Sequence, residues 1–137
     1  MIEKMSDTEL DHALLYVLRQ HVGKENAVSR WDMVEIIYGQ HVPEPFRNDK
    51  NDLDRSIRYA VSRLRIEGHF ICDMGNGDGR YLAKDEKEFW TFYSFFISPI
   101  ESRVTAAKAV KKAAIKKWPN ALQPALFDID SLSLIHI

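Results

Sequence analysis

The sequence predicts a mainly α-helical domain with one small β-hairpin, followed by a long C-terminal helical extension. Three observations carry that prediction. Hydrophobic residues recur every three to four positions over most of the chain, the period of helices with one buried face. Capping residues and glycines bracket those stretches. Between Gly68 and Ala83 the period changes, and a glycine-rich turn, Gly75-Asn76-Gly77-Asp78-Gly79, separates two short strand-like runs.

The elements follow in order. Ser6 and Glu9 form a capping box ahead of Leu10, Leu14, Leu15, Val17, Leu18 and Val22, a helix expected to stop at Gly23. Ser29 opens a shorter helix through Trp31, Val34, Ile36, Ile37 and Tyr38, closed by Gly39. Pro43 and Pro45 break the chain into a loop over Gln40–Lys50. A third helix is predicted from about Asn51 to Glu67, capped by Asn51 or Asp52 and stopped by Gly68. Its apolar residues, Leu53, Ile57, Ala60, Val61 and Leu64, share an arc of ~100°. Arg55, Arg58, Tyr59, Ser62 and Ile66 occupy the opposite arc, with Arg65 at its edge. His69–Asp73 and Arg80–Ala83 read as the strands of the hairpin, because Gly and Asn supply the positive φ angles of its turn. Lys84 or Asp85 then caps a long helical stretch from Phe89 to Trp118, which Ser98-Pro99 either kinks or divides in two.

The chain has 137 residues, 45% hydrophobic and 28% charged, which excludes a disordered chain or a collagen-like repeat. One cysteine, Cys72, excludes a disulfide scaffold and favours a cytoplasmic home. No secretory segment and no membrane association are expected, since the longest apolar run, Phe89–Ile100, is too short to span a bilayer. The net charge of −1 hides an asymmetry: residues 1–101 carry 13 Lys+Arg against 18 Asp+Glu, residues 102–137 carry 6 against 2. A local basic patch, rather than the total, decides whether a polyanion is attracted.

The block LDRSIRYAVSRLRIEGHFI followed by GDGRYLA resembles the third helix and wing of winged helix-turn-helix proteins, and is similar to small phage and prophage proteins of that class. The resemblance covers about 75 residues. Its most specific piece is Leu64-Arg65-x-x-Gly68 leading directly into a strand and a glycine-rich hairpin. It implies binding of double-stranded DNA, in phage or prophage transcription regulation or DNA replication. Elementary chemistry agrees: a helix in the major groove needs an apolar stripe facing its scaffold and a donor-rich face turned to the bases. Arg55, Arg58, Tyr59, Ser62 and Arg65 are the expected readers, and the resemblance to the wing adds Asn76 and Arg80 as phosphate or minor-groove contacts. The alternative is a module of the same fold that binds protein without DNA.

Further along, Lys108, Lys112 and Lys116 fall on one helical face with Lys111 beside them, a candidate phosphate contact. The aromatic row Phe89–Phe96 reads as core or as the seam of a homodimer paired through Phe89–Val110. In the tail, Gln123-x-x-Leu126-Phe127 resembles the short motif with which bacterial replication and repair proteins dock on the sliding clamp. That motif would use Gln123 for polar contacts and Leu126 and Phe127 for an apolar pocket; here Pro124 stands where Leu is commoner. The last six residues, LSLIHI, resemble the translated end of a sequencing adapter and are set apart. The organisation expected is therefore a winged helix-turn-helix over 1–84, a helical extension over 85–118, a tail over 119–131 and the adapter remnant over 132–137.

No enzyme is expected. His12, His21, His41 and His69 are scattered, His69-x-x-Cys72 falls short of four zinc ligands, and Gly75–Gly79 lacks the Lys-Ser/Thr of a phosphate-binding loop. Neither a cofactor nor a metal is called for.

Overall fold

The computed structural model describes residues 5–75 and 79–119. It is mainly helical, with a small three-stranded antiparallel sheet and a long C-terminal helix. The order is α1 (Asp7–Leu18), β1 (Val28–Ser29), α2 (Arg30–Tyr38), α3 (Asp52–Ile66), β2 (Ile71–Asp73), β3 (Gly79–Leu82) and α4 (Glu86–Lys117), with single 3-10 turns at Lys24–Asn26 and Glu44–Phe46. Two compact units divide the chain, Met1–Tyr93 and Ser94–Ile137.

The caps form as their chemistry dictates. The Ser6 hydroxyl accepts the Glu9 amide while the Glu9 carboxylate accepts the Ser6 amide, both at 3.2 Å. Ser29 and Asn51 cap α2 and α3 through the amides of Asp32 and Asp54, and Asp85 accepts the Glu88 amide at the start of α4. Gly39 ends α2 at φ +65°, a left-handed position that costs a side chain dearly.

The first unit's main core gathers Leu10, Leu14 and Leu18 from α1, Met33, Val34 and Ile37 from α2, and Ile57, Ala60, Val61 and Leu64 from α3. The apolar arc of the third helix is thus the buried one. Ile71 closes this core from the sheet, with Leu82 packed against it. The sheet's other face carries a second cluster of Cys72, Tyr81 and Phe92, joined by Phe89, so these two phenylalanines of the aromatic row are core, while Trp90 between them is 51% exposed. In the second unit α4 continues through Pro99 as one helix, settling the choice that Ser98-Pro99 leaves open. Proline removes one amide donor there and the ladder resumes beyond it.

Two features depart from the sequence reading. The first helix ends at Leu18 rather than at Gly23, because His21 and Gly23 exchange backbone hydrogen bonds with Leu82 and the chain must leave the helix to reach it. The strand β1 is additional: two residues are too few for a period-2 pattern, yet Val28 and Ser29 pair with Arg80 and Gly79. The sheet order is consequently β1-β3-β2. Asn76, Gln123, Leu126, Phe127 and the LSLIHI end lie outside the described residues.

Candidate nucleic-acid interface

The outer ridge of α3 consists of Asp52, Arg55, Tyr59, Ser62 and Ile66, all exposed and spaced three or four residues apart. Tyr59 is 61% and Ile66 87% exposed. Arg55 is the guanidinium left on this ridge, its side chain 44% exposed and held only at 3.7 Å from Asp52. A surface pair at that distance contributes at most ~1 kcal/mol, so Arg55 is available to a ligand. The Ser62 hydroxyl donates back to the Arg58 carbonyl at 3.2 Å, which leaves its oxygen lone pairs facing out.

The other arginines of α3 brace the fold. Arg63 donates Nε and Nη2 to the Asp11 carboxylate at 3.1 and 2.7 Å, tying α3 to α1. Arg65, expected at the edge of the reading face, instead turns toward the sheet. Its Nε donates to the Ile71 carbonyl at 3.0 Å, its Nη2 to Asp73 at 3.2 Å, and its guanidinium lies over the Phe92 ring. The reason is position: Arg65 follows the buried Leu64 and sits where α3 meets β2.

Arg80 also departs from expectation. Its side chain points inward rather than to a phosphate, with Nη1 3.9 Å from the Met33 sulfur. Burial lowers its affinity for a proton, and the nearby charges of Asp54 and Asp73 oppose that. Strand alternation explains it, since Arg80 shares a face with Leu82, which packs on the main core.

Arg58 is half-exposed and engaged on its inner side, with Nε 3.1 Å from Asp54 Oδ2 and Nη2 2.6 Å from the Asp49 carbonyl. Asp54 is 0% exposed. It also receives Nε and Nη2 of Arg30 at 2.9 and 2.7 Å, and Arg30 reaches on to Asp49 at 2.7 Å. That contact holds the Asp49 carboxyl below its ordinary pKa, and the two carboxylates hold the Arg30 guanidinium in its charged form. Arg30 and Asp54 are the site residues that the sequence reading misses. The signal for them is faint: an Asp in the first turn of a helix reads as a dipole charge, and its partner lies 24 residues away.

In the second unit, Lys108 is half-buried while Lys112 and Lys116 are exposed, and Lys117 stacks on Trp118 at 4.8 Å. Among the described residues no group of three or more His, Cys, Asp or Glu could hold a metal ion, and no helix is long and apolar enough to cross a membrane. No family model, no curated protein and no solved structure matches this chain.

Proposed function

We propose that the chain binds double-stranded DNA as a winged helix-turn-helix, without catalysis, in the transcription or replication of a phage or prophage. The third helix, α3, enters the major groove and presents Arg55, Tyr59 and Ser62 to base edges. The lysines of α4, Lys112 and Lys116 foremost, serve as phosphate contacts. What carries this reading is the element order α1-β1-α2-α3-β2-β3 with strand order β1-β3-β2, combined with an α3 whose apolar arc is buried and whose opposite ridge is open. The three helices followed by a hairpin are the part of this order that the sequence resemblance implies; β1 is an addition to it.

Selection from a randomised duplex library, followed by fluorescence polarisation on the selected and a scrambled duplex, tests it. Arg55→Ala should cost about 1–3 kcal/mol on the selected duplex and little on the scrambled one. Lys112→Ala should weaken both alike and lower the salt slope by about 1. Failure to enrich any duplex would refute the reading.

A second reading, a protein-binding module, draws on Ile66 and Phe70, both exposed and apolar where α3 gives way to β2. Docking on a sliding clamp through Gln123, Leu126 and Phe127 belongs to this reading. A pull-down of the clamp with the full chain and with a chain ending at residue 121 separates it from DNA binding.

A further inference from the structure

We propose that Asp54 is a positioning residue that presets Arg58 as a fork for the edge of a guanine, an inference that rests on the DNA-binding reading above. Arg58 begins one helical turn after Asp54 on α3. Two of its nitrogens are committed to the protein, Nε to Asp54 at 3.1 Å and Nη2 to the Asp49 carbonyl at 2.6 Å. Nη1 makes no hydrogen bond among the described residues, and the side chain is 39% exposed. A guanidinium fixed through its Nε keeps N–H groups on its far end, and such a fork matches the O6 and N7 acceptors of guanine.

The support behind the fork is itself built. Asp54 is wholly buried, so its charge needs compensation, and Arg30 supplies it through two hydrogen bonds. Arg30 is held in turn by Asp49 and by the Trp31 ring, 4.7 Å from its guanidinium carbon. Arg30 and Arg58 together balance Asp54 and Asp49, so what Arg58 offers a ligand is its N–H donors and not an excess charge. An arginine held this way has given up its rotamer freedom before a ligand arrives, which favours binding and sharpens geometry. The surroundings select a base over a phosphate. The exposed carboxylate of Asp49 stands beside Arg58 and offsets its attraction for a phosphate, whereas a guanine edge is neutral.

The test uses the full chain with the selected and scrambled duplexes. Asp54→Asn should weaken binding of the selected duplex at least tenfold and leave the scrambled duplex within about twofold. The double variant Asp54→Asn/Arg58→Ala should lose no more than Arg58→Ala alone, since Asp54 acts through Arg58. In the free protein, the Arg58 Nε–H proton should exchange slowly in the wild type and quickly in Asp54→Asn. Should Asp54→Asn not fold, Arg58→Lys, which keeps the charge and loses the fork, should bind the selected duplex as poorly as Arg58→Ala. Wild-type binding by Arg58→Lys, equal losses on both duplexes, or additive losses in the double variant would overturn the proposal while DNA binding stands. Binding of neither duplex by the wild type would overturn the DNA-binding reading, and the guanine assignment with it.

Discussion

Replacing Asp54 by Asn should cost the fold about 3 kcal/mol. The carboxylate lies at 0% exposure and accepts three N–H groups from two guanidiniums, at 2.9, 2.7 and 3.1 Å. An asparagine keeps one acceptor oxygen and sets an NH2 donor against the donors of Arg30 or Arg58. Breaking a buried pair in this way typically costs ~3–5 kcal/mol, since a charge is left uncompensated. Two facts place the value at the lower end. Arg30 keeps Asp49 at 2.7 Å, and Arg58, 39% exposed, can turn to water. The assay is equilibrium urea unfolding, where an m-value of ~2 kcal/mol/M turns this loss into a midpoint shift of ~1.5 M at unchanged m. Asp49→Asn is the control: its carboxylate is 84% exposed, and the change should leave the urea midpoint close to that of the wild type. A loss below ~1 kcal/mol for Asp54→Asn would mean that water, not the arginines, satisfies that carboxylate, and the network would have no structural role.

Other consequences are simpler to state. Leu14→Ala empties a fully buried site on α1 and should cost ~2–5 kcal/mol in the same urea assay. Ser29→Ala removes the oxygen that accepts the Asp32 amide at 3.2 Å and should cost ~1 kcal/mol, seen as a lower Tm by calorimetry. Burial pushes the Cys72 thiol up to about 11 and the Tyr81 hydroxyl up to about 12. In the unfolded chain they ionise near ~8.5 and ~10, so over the window between the two states the unfolded form binds fewer protons. Stability should therefore be whole below pH ~8.5 and fall steadily as pH rises toward 12; urea midpoints that stay level from pH 8 to pH 11 would contradict this.

How much of this was legible follows the range over which the interactions act. Local devices were: Ser6 with Glu9, Ser29, Asn51 and Gly39 are written within a few residues of the groups they serve. The buried arc of α3, Ile57 to Leu64, was legible because one helix face needs only its own period. The fate of the arginines was not. Outward position on a helical wheel says where Cβ points, not where a long side chain goes, and the partners of Arg63 and Arg58 sit on other elements or at the helix start. Arg80 is instructive in another way. Its register was readable, since Leu82 two residues on is a core residue and shares its face, but an Arg in a hairpin invites the assumption of solvent. The strand β1 exists only through its pairing with β3, a contact across more than fifty residues that no short window contains.

On the proposed function, DNA binds at the outer face of α3. A titration of the 15N-labelled full chain with the selected duplex, followed by amide and arginine side-chain resonances, examines it directly. The largest shifts should fall on Arg55, Arg58, Tyr59 and Ser62. Shifts confined to the apolar surface at Phe70 and Trp90, or none with any duplex, would contradict it.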